Sequence, residues 1–135
     1  MHDPIQTLKA HGIQPSAQRV AIAEYVLQTD EHPSAEQVLA RVSPHCPMVS
    51  RATVYNTLNL FVRKGLLREL LLAEGKVVFD PHVEPHHHFV DDETGAILDV
   101  PFEAVAVGSV EGLPHLDVRE VQVVMRGRVR RHTRA

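Results

Sequence analysis

The chain has 135 residues, 44% of them hydrophobic, and a formal net charge of -3, which fits one globular domain or two small ones and excludes a large multidomain enzyme. No run approaches the roughly 20 consecutive apolar residues that span a bilayer, and Met1-His2-Asp3-Pro4 is not a basic-then-apolar signal, so a cytoplasmic protein with no membrane partner is expected. A single cysteine, Cys46, permits no internal disulfide and no zinc site built on CxxC pairs, whereas ten histidines supply material for a metal site of another kind.

The first 66 residues read as helices. Pro15-Ser16 opens a segment in which Val20, Ala23, Val26 and Leu27 recur at helical spacing, predicting a helix over about 16–28. Ser34 followed by Gln37 is a capping box and starts a short helix carrying Val38 and Leu39, which Pro44 and Pro47 end. A third helix is predicted from Arg51 to Lys64, with Ser50 as N-cap and Gly65 as its stop. Leu58, Phe61 and Val62 fall on one side of it with Val54 and are expected in the core. The opposite side carries Ala52, Tyr55, Asn56, Asn59 and Arg63, a hydrogen-bonding set without acidic charge that suits phosphates and base edges.

Beyond Gly65 the period changes. Leu66–Leu72 and Lys76–Asp80 are β-compatible runs joined by Ala73-Glu74-Gly75, which reads as a hairpin. Three helices and a hairpin in this order are the layout of a winged helix-turn-helix module. Pro81-His-Val-Glu-Pro85 reads as a hinge between a winged-helix domain at 1–80 and a second domain at 86–135. The second domain is expected to hold a strand around His86–Val90, an acidic turn at Asp91–Gly95, a strand at Ala96–Val100, a helix over Pro101–Val110 and a strand over Val118–Met125. The overall class is therefore α+β. A unit of about 50 residues buries little core alone, so pairing with a second copy is expected.

Charge is local. Residues 1–75 hold seven Lys/Arg and seven Asp/Glu, 76–120 hold two against ten, and 121–135 hold five Arg and no acid. The acidic stretch also contains His82, His86, His87, His88 and His115, and like charges so close call for a cation or hydrogen bonds. His86 and His88, two apart on a strand, project from one face, and Asp80 and Asp99 stand at the ends of the flanking strands where packing brings a carboxylate beside them.

Four separated motifs in order resemble the ferric uptake regulator superfamily over essentially the whole chain. They are Leu8-Lys9-Ala10-His11-Gly12-Ile13 with Gln18-Arg19, then His32-Pro33-Ser34-Ala35-Glu36, then Ala52-Thr53-Val54-Tyr55-Asn56-Thr57-Leu58, then Asp80 with His86-His87-His88. The resemblance implies an N-terminal winged helix that binds double-stranded DNA at an inverted-repeat operator, a small C-terminal α+β domain that forms a homodimer, and one regulatory divalent metal per subunit. The metal ligands it implies are His32, Asp80, His86, His88 and Asp99, a set similar to the peroxide-sensing branch, since the iron-sensing branch usually has Glu where Asp80 stands. Three nitrogens and two carboxylates suit Mn²⁺ or Fe²⁺, and the Irving–Williams order lets Zn²⁺ bind in vitro. The DNA contacts implied are Arg19, Arg51, Thr53, Tyr55, Asn56 and Arg63, with Tyr55 packing on a thymine methyl and the arginines on backbone or bases.

The chain also departs from the family pattern. Asp91 and Thr94 occupy the positions of the first CxxC pair, and Val129 and His132 lie near the second, so a Cys₄ structural zinc is expected to be absent. Cys46 reads as a spare thiol and Arg126–Arg134 as a loose tail. A second metal site built on His87, Glu103 and His115 is weighed against Val121, which stands where a histidine ligand is expected. Three function classes follow: a metal-dependent repressor of manganese-uptake genes, with an iron-loaded peroxide sensor as its variant; a His/carboxylate metalloenzyme; and a metal-independent winged-helix regulator.

Overall fold

The computed structural model describes residues 3–72 and 75–130. These fall into two compact units that divide between Val83 and Glu84. Ala73 and Glu74 of the expected hairpin turn, and residues 131–135 of the Arg-rich end, lie outside the described residues.

The first unit is built from four helices and a hairpin. α1 (Pro4–Ala10) is a helix that the apolar periodicity does not reveal, because seven residues give barely two turns. Its ends are nevertheless written in the sequence. The Asp3 carboxylate accepts the N–H groups of Ile5 at 3.1 Å and Gln6 at 3.4 Å, and Pro4 occupies the first turn, where its missing N–H costs nothing. Gly12, at φ +73°, closes the other end with Ile13 N–H on the Leu8 carbonyl and Gly12 N–H on that of Lys9. α2 (Ala17–Val26) begins at Ser16, whose hydroxyl accepts the Arg19 N–H.

α3 (Ala35–Val42) carries the expected capping box in full: Gln37 N–H donates to Ser34 Oγ and Ser34 N–H donates to Gln37 Oε1 at 2.7 Å. α4 (Arg51–Arg63) is capped by Ser50 and ends where Gly65, at φ +81°, turns the chain left-handed. Val54, Leu58 and Phe61 of α4 are fully buried among Leu8, Ile22, Val26 and Val38. Val62, expected in the core, is only partly buried at its margin. Tyr55, Asn56, Asn59 and Arg63 are exposed. β1 (Arg68–Leu71) pairs antiparallel with β2 (Val77–Asp80), Arg68 facing Asp80. Phe79 N–H donates to the Pro33 carbonyl at 2.9 Å, tying β2 to the turn that leads into α3.

The second unit is a three-stranded sheet. β3 (His86–Asp91) is central, β4 (Ile97–Pro101) is antiparallel to it on one side, and β5 (Val124–Gly127) is parallel on the other. The turn between β3 and β4 is held by hydrogen bonds: Glu93 N–H to Asp91 Oδ1, Gly95 N–H to the Asp91 carbonyl, and Ala96 N–H to Thr94 Oγ1. Gly95, at φ +77°, supplies the left-handed step there.

Two expectations for this unit are corrected. The helix over Pro101–Val110 is reduced to a single 3-10 turn at Phe102–Ala104, followed by another at Val110–Gly112. Pro101 is extended, at ψ 139°, and completes the β4 ladder opposite His86, after which Val105, Val107 and Gly108 give weak helix propensity. The strand over Val118–Met125 starts only at Val124, because its ladder with β3 begins at His88, and the preceding Val123 is bonded through both its carbonyl and its N–H to His88 and His87.

The burial pattern of α4 sets a stability test. Leu58→Ala, which empties a side chain with no exposure, should destabilise the fold by about 2–5 kcal/mol in urea unfolding, whereas the exposed Asn56→Ala should stay within about 0.5 kcal/mol.

Candidate metal donors and nucleic-acid interface

His32 is the donor that most needs explaining, because it holds φ +54° without being glycine. The chain on both sides fixes it there. Upstream, Glu31 receives the Tyr25 hydroxyl at 2.9 Å and an Arg41 N–H at 3.0 Å, with the Arg41 guanidinium over the Tyr25 ring. Partial burial first, and the Glu31 bond second, push the Tyr25 phenol above its ordinary pKa. Downstream, Pro33 accepts from Phe79 and Ser34 caps α3. The outcome is a buried imidazole whose Nε2 lies 3.2 Å from Asp80 Oδ2. Asp80 is itself oriented, since its Oδ1 accepts the His82 N–H at 2.9 Å.

The second unit presents its own donor group. On β3 the two-residue period puts His86 and His88 on one face, and register sets Asp99 of β4 opposite His88. His86 Nε2 lies 3.3 Å and His88 Nε2 3.5 Å from the same oxygen, Asp99 Oδ1, with the two rings 4.5 Å apart. His86 Nδ1–H donates to the Glu84 carbonyl at 2.6 Å, which fixes the tautomer that leaves Nε2 as a lone-pair donor. Each group thus converges imidazole nitrogen on carboxylate oxygen, with every histidine buried, Asp80 buried and Asp99 exposed, the donor chemistry of a divalent cation.

The intervening histidine behaves differently. His87 points to the other face of β3, where it is fully buried, stacks on Phe102 at 4.9 Å and accepts the Val123 N–H at Nδ1. Its Nδ1 lone pair is therefore in use. Glu103 and His115 are exposed, and among the described residues neither joins His87 in a group of converging donor atoms. The second metal site weighed from the sequence is not assembled by these three residues.

The DNA-facing residues expected from the sequence lie mostly on one surface of the first unit. Arg51, Tyr55, Asn56 and Arg63 are exposed on α4, and Thr53 is partly buried with its hydroxyl bonded to Ser50. Arg19 stands apart on α2 and spends one N–H on the Gln14 carbonyl. One residue escaped the sequence reading. Glu36, in the first turn of α3, receives Arg51 Nε at 2.8 Å and Arg51 NH2 at 2.9 Å, with the Tyr55 hydroxyl 3.5 Å away. Hydrogen bonds from Arg51 hold the Glu36 carboxyl below its ordinary pKa, and Glu36 raises that of Arg51. A pair 15 residues apart on two helices has no local signature.

The sequence model of the ferric uptake regulator family matches residues 10–125. The chain belongs to the ferric uptake regulator family. It is 31% identical over 102 residues to the peroxide-responsive repressor PerR of Staphylococcus aureus, covering 76% of this chain and 69% of that protein. Its fold is similar to that of the Vibrio cholerae ferric uptake regulator, at TM-score 0.70 and 24% identity over 94% of this chain and 100% of the other. It is also similar to Streptococcus pyogenes PerR, at TM-score 0.53 and 26% identity over 93% and 87% of the two chains. As a family member the chain is a metal-dependent, DNA-binding transcriptional regulator and not an enzyme, with the expected winged helix and α+β unit. No helix among the described residues is long and apolar enough to cross a membrane.

The His87 arrangement has a spectroscopic consequence. Nitrogen-15 correlation spectra of the Zn²⁺-loaded protein should show Nδ1 of His87 as the unprotonated nitrogen and Nε2 as the protonated one. The reverse tautomer would contradict its bond to Val123.

Proposed function

We propose that this regulator is a cytoplasmic, homodimeric repressor in which His32, Asp80, His86, His88 and Asp99 hold one Mn²⁺ or Fe²⁺ per subunit, and that it controls manganese-uptake genes. The observation that carries this reading is that each unit offers buried imidazoles beside a carboxylate, Asp80 in one and the more exposed Asp99 in the other, and that each group is by itself short of a five- or six-donor shell. Only five residues separate Asp80 from His86 in the chain, so one ion can recruit both groups. Three nitrogens and two hard oxygens favour Mn²⁺ and Fe²⁺ over ions that select thiolate. When bound, the ion supplies positive charge that offsets the acidic stretch from 76 to 120 and fixes the two units in one relation. With that relation fixed, the α4 helices of two subunits are spaced for successive major grooves of an inverted repeat.

A second copy of the chain fits the second unit's surface. Leu98, Phe102, Val107, Val110, Leu113 and Leu116 are exposed there, while Ile97 is its one buried hydrophobic among the described residues. On α4, Tyr55 supplies an apolar ring for a thymine methyl, Arg51 and Asn56 address bases, and Arg63 with Arg19 holds phosphates.

The similarity to the peroxide-responsive repressor of S. aureus, with Asp rather than Glu at position 80, favours one variant: an iron-loaded sensor of peroxide. Mass spectrometry after peroxide treatment separates the two. Addition of one oxygen atom to His32 or His86 in the Fe²⁺ form, and not in the Mn²⁺ form, supports the sensor, and unmodified protein in both supports the manganese regulator.

Fluorescence anisotropy on a duplex selected from a randomised pool tests the metal mechanism. His32→Ala and His88→Ala should each weaken Mn²⁺-dependent binding by more than about 100-fold, beyond what loss of an outer-shell partner does. Full metal-dependent affinity in His32→Ala would refute a metal shared by the two units. Arg63→Ala should lower the slope of log affinity against log salt by about 1 if it neutralises one phosphate.

A further inference from the structure

Arg51 sits in the first turn of α4, the positive end of the helix, where the macrodipole disfavours a cation. Helix stability therefore does not explain it. Its partner Glu36 lies in the first turn of α3, and both side chains are more than half exposed, so the ion pair contributes little to folding. Its geometry is nonetheless specific. The carboxylate takes the Nε–H and one N–H of NH2, a bidentate grip on one edge of the guanidinium. NH1 and the second N–H of NH2, which form the adjacent edge as two parallel donors, have no partner among the described residues. Glu36 also holds the Tyr55 hydroxyl, and with Tyr55, Asn59, Glu69 and Lys76 it lines a groove of about 320 Å³ shared by α3, α4 and the β1–β2 hairpin.

We propose that Glu36 is a specificity-determining positioning residue: it grips the inner edge of Arg51 so that the outer edge reads the O6 and N7 acceptors of a guanine in the major groove. The inference rests on the reading of α4 as the DNA-contacting helix. Guanine is the base whose major-groove edge offers two acceptors to such a fork, whereas a lone phosphate contact needs no fixed orientation. The negative charge of Glu36 acts in the same direction. It offsets the Arg51 cation and repels phosphates, so the pair gains little from indiscriminate backbone binding and keeps the directional base contact. The low pKa of Glu36 agrees with a carboxylate that stays ionised against Arg51.

The test uses the full chain loaded with Mn²⁺ and a randomised duplex pool, comparing wild type, Arg51→Ala and the near-isosteric Glu36→Gln. Wild type should select a G·C pair at one position in each half-site, and replacing that guanine by 7-deazaguanine should weaken binding. Arg51→Ala should lose this preference, by roughly tenfold in the affinity ratio, and become indifferent to 7-deazaguanine. Glu36→Gln should erode the preference at that same position by about fivefold while binding scrambled duplex more tightly and with a steeper salt dependence. An unchanged preference in Glu36→Gln overturns the positioning role. A uniform loss of affinity on all sequences, with a lowered melting temperature, overturns it in favour of a purely structural one. A preference that survives Arg51→Ala removes the guanine contact but leaves α4 as the interface, whereas a wild-type protein that selects no motif overturns both.

Discussion

The two-residue period of β3 is the constraint on which the second unit depends. Three consecutive histidines would be chemically equivalent on a flexible chain, but on a strand they divide: His86 and His88 go to the face that carries Asp99, and His87 goes to the face of Phe102 and Val123. A one-residue slip of β3 against β4 would exchange these roles and set His87 among the donors. Register is therefore part of the chemistry. It is fixed by the Asp91–Gly95 turn, where an aspartate, a threonine and a left-handed glycine close the chain with three hydrogen bonds. Asp91 and Thr94 stand where the family resemblance leads one to expect a cysteine pair. Here the turn's own polar groups do the joining.

In the first unit the segment from His32 to Gln37 concentrates three functions in six residues. His32, the proposed metal donor, is held in a left-handed conformation, Ser34 and Gln37 start α3, and Glu36 grips Arg51 at the start of α4. The capping box makes this short stretch stiff, and the Phe79–Pro33 bond ties it to the strand that ends in Asp80. The geometry of the proposed donor His32 and the orientation of Arg51 thus depend on one hydrogen-bonded turn.

What the sequence made legible follows from how local each signal is. Ser16, Ser34 and Ser50 mark helix starts because their hydroxyls bond to N–H groups three residues on, and Gly65 marks a stop because its φ excludes most other residues. The β1–β2 hairpin and the strands flanking the acidic turn were readable for the same reason. α1 was missed although Asp3 and Pro4 announce it, since seven residues carry too little periodicity. The segment after Pro101 reads as a helix in the sequence because proline suits a first helical turn as well as a strand end, and only the ladder opposite His86 decides between them. The displaced start of β5 and the Glu36–Arg51 pair are set by partners far away in sequence. The convergence of His86, His88 and Asp99 is legible from strand period and chemistry, whereas His32 is reached through family resemblance alone.

The second unit raises a thermodynamic question that its donors answer. Its buried residues among those described are His86, His87, His88, Asp91 and Ile97, so four of five are polar or ionisable. Apolar burial at about 25 cal/mol per Å² cannot stabilise so small a set against chain entropy, and surrounding acids add repulsion. Ladder hydrogen bonds and the bonded turn supply part of the balance, and the exposed apolar residues from Leu98 to Leu116 supply more only when a partner covers them. On the proposed function, a cation held by His86, His88 and Asp99 would add a further kind of stabilisation. Its binding free energy would then appear as order in this unit, because a preformed site rarely exists in the unfolded chain. On that reading the scarcity of core is what would make the unit responsive: a domain that already held together through apolar packing would change little when an ion arrived.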